Sequence, residues 1–206
     1  MKKTLLLLLV LLFASGLWSQ VTEGDVVYEM LYTSDDPGME TTVEMMAGSQ
    51  MLFFFAPGKS RSEVSLGQMG LTTIISDDNA KKSVTLMNIS GMKYAMENKY
   101  SELKSEKDLK KEFTVKPIEG TREILGYTCS AIRMTSKYGP DTEIWYTKDI
   151  TASSTGHTYH NAVIPGFPLS FSFVENGMNT TITAVRITKT APDPKLFSLT
   201  VPAEYE

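Results

Sequence analysis

The run Met51-Leu52-Phe53-Phe54-Phe55 limits the fold more than any other stretch of this chain. In an extended strand successive side chains leave opposite faces, so Phe53 and Phe55 share one face while Leu52 and Phe54 share the other. A strand with water on one side would expose one of these pairs and invite aggregation. Both faces therefore need a cover, which the rest of the chain must supply.

The surrounding sequence reads as more strands. Asp25 to Tyr32 alternates, with Val26, Tyr28, Met30 and Tyr32 on the core side. After the Asp35-Asp36-Pro37-Gly38 turn, Thr41 to Met46 reads as a second strand and Gln50 to Phe55 as a third. Ala56-Pro57-Gly58-Lys59 turns the chain into Ser60 to Leu66. Leu71 to Ser76 and Lys82 to Ile89 form a hairpin through Asp77-Asp78-Asn79-Ala80, and Ser90-Gly91 leads into Met92 to Met96. Such a run of short strands, without helices for parallel crossovers, predicts a meandering antiparallel sheet.

One helix is expected, Asn98 to Phe113, with a thin apolar stripe of Tyr100, Leu103, Leu109 and Phe113. Its basic and acidic residues nearly cancel, so it is no polybasic membrane patch. Phe113 to Pro117 and Thr121 to Ile124 then lead into the clearest strand and turn signals, between Glu123 and Ser172. Tyr138-Gly139-Pro140-Asp141 reverses the chain between two paired strands there. Further on, Met178 to Thr188 alternates with Thr180, Ile182, Ala184, Arg186 and Thr188 on one face, and Leu196 to Pro202 closes the domain.

The N-terminus couples Lys2-Lys3 to an apolar run from Leu5 to Phe13 and then small residues, the pattern of a secretory signal. Residues 1–19 are expected to be a cleaved signal peptide and 20–206 a single exported domain, periplasmic or secreted. No Cys lies near the cut, so a thioether lipid anchor is not expected. Loss of Lys2 and Lys3 takes the formal charge from -4 to about -6. With the remaining basic residues scattered, nucleic acid is not an expected partner. The single Cys129 sits in an apolar strand pattern and is expected to be buried and unreactive.

Signals for covalent chemistry are weak. His157 and His160 are the only local pair of metal-ligand type; they lack the Glu and third His of a zinc protease and sit in a Ser, Thr and Gly-rich loop. Ser153-Ser154-Thr155-Gly156 lacks the Gly-x-Ser-x-Gly elbow. Asp35-Asp36 and Asp77-Asp78 read as turn formers. The chain is expected not to be an enzyme, and to hold no metal and no cofactor. Its asset is aromatic and Met side chains, which either fill a core or line a cavity that Met adapts to varied guests.

Gly126-Tyr127-Thr128-Cys129, Ile144-Trp145-Tyr146-Thr147-Lys148-Asp149-Ile150 and Ile164-Pro165-Gly166-Phe167-Pro168-Leu169 resemble the DUF4412 family and the similar GLPGLI family of exported Bacteroidetes proteins. The Gly24 to Glu29 opening, the Gly58 to Glu63 turn, and the terminal Leu196-Phe197 with Pro202 and Tyr205 also fit. DUF4412 is thought to be related to the LolA and LolB lipoprotein carriers. The resemblance therefore implies a mainly β fold, a single curved antiparallel half-barrel with one or two covering helices over an apolar cavity. No motif aligns with the carriers' functional residues, and none is carried over. The expected function is a non-enzymatic, monomeric periplasmic protein that holds an acyl chain, lipid or lipoprotein. Phe53, Phe55, Trp145, Phe167 and Phe171 are the candidate ligand contacts. The alternative is an envelope interaction module with a packed interior, presenting the loop Thr151 to Val163 to an envelope protein; a peripheral membrane contact stays open in either case.

Overall fold

The computed structural model describes residues 20–102, 106–136, 139–152 and 163–206. Its strands are β1 (Gly24–Ser34), β2 (Gln50–Ala56), β3 (Lys59–Ser65), β4 (Gly70–Asp77), β5 (Lys82–Ile89), β6 (Met92–Lys99), β7 (Phe113–Ile124), β8 (Tyr127–Ser136), β9 (Thr142–Thr147), β10 (Phe167–Glu175) and β11 (Met178–Thr188). They form one antiparallel sheet in the order β6-β5-β4-β3-β2-β1-β11-β10-β9-β8-β7. Two meanders, β1 to β6 and β7 to β11, are thus fused where β1 pairs with β11.

Connectivity makes this sheet curl. The edge strands β6 and β7 are consecutive in the chain and joined by residues 100–112, which include a seven-residue helix. A flat sheet of this width would part its edges by roughly 48 Å at about 4.8 Å per strand gap. The connection reaches only about 30 Å, because its helical part rises about 1.5 Å per residue. The edges therefore approach each other, and the sheet is an open, curved half-barrel.

Among the described residues two α-helices accompany it, both short: α1 (Glu40–Met45) and α2 (Glu106–Glu112). The first replaces the strand expected over Thr41 to Met46. Asp36 Oδ1 accepts the Gly38 N–H at 2.8 Å and Pro37 opens a 3-10 turn, Pro37–Met39, that runs straight into Glu40. This local cap outweighs the strand preference of Thr41, Thr42 and Val43. The second helix is much shorter than the one expected from Asn98 to Phe113, since β6 continues to Lys99 and a 3-10 turn takes Tyr100–Glu102. A charged segment with little apolar surface gains too little from packing to sustain a longer helix.

The inner face of β1 buries Val26, Tyr28 and Tyr32, as the alternation predicts, and Phe55 beside them is fully buried. On the outer face, Ile75, Val84 and Leu86 are buried, and the chain's last segment lies against β3 and β4. Its 3-10 turn Pro194–Phe197 packs on β3 and β4 with Phe197 buried, and Arg61 donates to the Leu196 carbonyl at 3.1 Å. Farther along, Glu206 exchanges backbone bonds with Lys93 and Ala95 on the free edge of β6.

The alternation of β11 breaks at Val185. Tyr28 pairs with Ala184 and Val27 with Arg186, so Val185 bulges out and the following residues change faces. Ile187, not Arg186 or Thr188, therefore continues the inner face beyond Ala184. Elsewhere the turn chemistry holds: Asp77 Oδ1 accepts the N–H groups of Asn79 and Ala80, and Leu125-Gly126 (φ 51 and 81) makes the two-residue turn between β7 and β8.

Candidate apolar ligand site

The inner face is read off the pairing register. Phe53 stands opposite Val26 and Ser62, Met51 opposite Tyr28 and Val64, and Phe171 opposite Ile182 and Ile144. Curvature brings these rows toward one another, and they line a partly open cavity of about 220 Å³. Its walls are Met30, Met51, Phe53, Ile144, Phe167 and Phe171, with Tyr28, Ile164 and Ile182 among the remaining contributors. Among the described residues, the polar side chains that line it are Ser62, Thr142 and Tyr28, each bearing a hydroxyl. The Tyr28 hydroxyl is already committed, donating to the Pro168 carbonyl at 2.8 Å, and its burial pushes it well above the ordinary phenol range. Among the described residues no charged side chain lines the cavity, which suits an uncharged apolar guest.

Of the expected contacts, the structure brings Phe53, Phe167 and Phe171 to this cavity. Phe55 lies beneath them: its ring centroid is 6.0 Å from Phe53 and 5.6 Å from Phe167, and it is fully buried. It supports the wall rather than forming it. Trp145 is not brought there. It alternates with Ile144 and Tyr146, so its indole leaves the opposite face of β9, where Nε1 donates to Glu143 Oε1 at 2.9 Å and the Arg122 guanidinium lies 4.4 Å from the ring centroid. The aromatic character of Trp145 suggested a ligand contact, while its parity in the strand places it elsewhere.

Phe167 owes its position to Gly166. A Cβ there would lie 2.4 Å from the Thr147 carbonyl oxygen and 2.7 Å from the Tyr146 ring, so only glycine lets the chain approach β9 this closely before β10 begins. Sequence reasoning did not name Met30, Met51, Ile144 or Ile164 as contacts. Strand parity with Tyr28, Phe53 and Tyr146 could have found the first three; Ile164 comes from a loop and carries no periodic signal.

Cys129 is fully buried between Tyr127 and Ala131 on β8, as expected, with burial pushing its thiol up despite the nearby Arg122. His157, His160 and Ser153 to Gly156 lie outside the described residues, as do residues 1–19 and most of the loop Thr151 to Val163. Among the described residues, no cluster of three His, Cys, Asp or Glu side chains has metal-binding geometry. No described helix is long and apolar enough to cross a membrane.

Residues 38–205 match the model of a domain of unknown function, DUF4412. No curated protein matches the sequence. Among solved structures, PNGF-II is similar at a TM-score of 0.52 and 15% identity, over 85% of this chain but only 29% of that one. The complex of Pseudomonas aeruginosa MucA and MucB matches at 0.44 and 10%, over 92% and 59%, respectively. The Mycobacterium tuberculosis lipoprotein LppX matches at 0.40 and 10%, over 84% and 89%. The chain thus spans less than a third of PNGF-II, and at 15% identity what it shares with that protein is the fold alone.

Proposed function

Since the chain belongs to the DUF4412 family and carries this cavity, we propose that it is a non-enzymatic binding protein that holds a lipid or lipoprotein acyl chain on the inner face of its half-barrel. In this reading residues 1–19 are a cleaved leader and the folded domain works in the periplasm. The observation that carries the proposal is a partly open cavity walled by Met and Phe, whose polar lining side chains among the described residues are Ser62, Thr142 and Tyr28. Water gains few hydrogen bonds in such a space, and an apolar guest recovers the dispersion contacts that a void forfeits. Each methylene buried there contributes about 0.8 kcal/mol.

Native mass spectrometry of the purified full chain, before and after incubation with palmitate, tests this. The expected result is a bound mass of acyl-chain size in one or both spectra. A spectrum of bare protein under both conditions, with an unchanged melting temperature, would contradict it.

A further inference from the structure

The cavity does not end the apolar surface. From its Met51 and Phe53 wall, two cross-strand rows continue to the edge of the sheet: Met51, Val64, Thr72, Met87, Tyr94 and Phe53, Ser62, Ile74, Thr85, Met96. A third, shorter row pairs Ile89 with Met92. None of these residues is charged. At the outer end they stand in the open, with Ile89 46%, Met92 55%, Tyr94 44% and Met96 49% exposed. A buried polar row, Ser60, Ser76 and Ser83, borders them on one side.

We infer that this Met-rich ladder is the second half of the ligand site, a track along which a single unbranched acyl chain leaves the cavity and crosses β3 to β6. The inference rests on the apolar-ligand reading above and specifies the shape of the guest. Size is the first argument. At about 30 Å³ per methylene-sized group, 220 Å³ holds only roughly seven such groups, and it falls below the roughly 300–1,000 Å³ usual for ligand pockets. A long chain must therefore continue outside. The four strand gaps from β2 to β6 supply roughly 19 Å of track. Direction is the second. Met51 and Phe53 line the cavity and also head the two uncharged rows, so a tail seated against them has continuous apolar surface leading outward over β3 to β6. Hydrogen bonding is the third. The peptide groups of β3 to β5 are spent within the sheet, so a peptide lying on this face would leave its own backbone unpaired, whereas a methylene chain asks for no partner. Flexible Met side chains conform to such a chain on one side while water covers the other.

The two halves differ in how completely they surround each methylene, and this gives the test. Saturated fatty acids of eight to sixteen carbons are titrated into the full chain and into a Met92→Ser, Met96→Ser double variant, whose changes are exposed and leave the core intact. The parent should gain about fourfold in affinity per added methylene while the cavity fills and about twofold per methylene along the one-sided track. The variant should bind the sixteen-carbon acid about tenfold more weakly and the eight-carbon acid less than twofold more weakly. If the parent's affinity stops rising once the cavity is full, or the variant binds both acids like the parent, the track is wrong while the cavity reading stands. Concentration-dependent dimers of the parent that the variant abolishes, with fatty-acid binding unaltered, would assign the ladder to self-association instead. Failure of the parent to bind any length would remove both readings.

Discussion

On the inner face, β8 and β9 present Ile132, Met134 and Ile144, all buried beside Phe113, Val115, Val163 and Ile164. On the same face, β5 and β6 present Thr85, Met87, Tyr94 and Met96, and Tyr94 and Met96 stand nearly half exposed. The two hairpins share their alternation and their antiparallel pairing; they differ in whether another part of the chain reaches them. Strand alternation selects which residues face inward, but it does not provide their cover. The outer face of β4 and β5 makes the same point from the other side, because Ile75 and Val84 are buried where the C-terminal segment lies against the sheet.

Substitutions sharpen this contrast. Phe55→Ala removes a fully buried ring from beneath the cavity wall and should cost about 3–5 kcal/mol of unfolding free energy, whereas Met96→Ser on the bare hairpin should stay within about 0.5 kcal/mol. Similar losses for the two in urea unfolding would erase the distinction between the covered and bare regions. Phe197→Ala tests the outer cover. It should cost about 3 kcal/mol and speed amide exchange in β4 and β5 ahead of β8 and β9. Trp145→Ala should cost only about 1–2 kcal/mol, since the indole is half-buried and held by Arg122 and Glu143, and it should leave fatty-acid affinity unchanged. A tenfold loss of affinity in that variant would return Trp145 to the site.

The pH effect is smaller. Partial burial pushes the Asp77 carboxyl up, but the N–H groups of Ala80 and Asn79 and the Lys59 ammonium outweigh it and hold its pKa below the ordinary value. A carboxylate depressed in the folded state contributes stability that is present above its unfolded pKa, about 3.9, and lost as pH falls through the folded one. The acid limb of the stability profile should therefore be shallower in Asp77→Asn than in the parent; parallel limbs would show that the turn makes no such contribution. Smallest of all is the expected response of Cys129, which should resist thiol labelling at neutral pH until denaturant is added.

Much of the sheet was legible because its signals are local. Turn residues such as Asp77 and Gly126 mark the hairpins, and the parity of Val26, Tyr28, Phe53 and Phe55 identifies the inner face before any contact is known. What stayed hidden depends on events outside the local pattern. The Val185 bulge shifts parity without a Gly or Pro to announce it, and the Asp36 cap turns a β-branched run into a helix. Trp145 resembles a ligand contact by residue type alone, whereas its place in the alternation puts it beside Glu143 and Arg122. The cover of the outer face by Phe197, more than a hundred residues from Ile75, has no signature at short range.

Methyl resonances of the twelve methionines report on the inner face directly, since Met is spread over both covered and bare regions. With methyl-labelled methionine and added palmitate, Met30 and Met51 in the cavity wall should shift, while Met45 and Met69, which are not part of that wall, should not. Shifts confined to Met45 and Met69, or no shift at any methionine at saturating palmitate, would contradict an apolar ligand held inside the half-barrel.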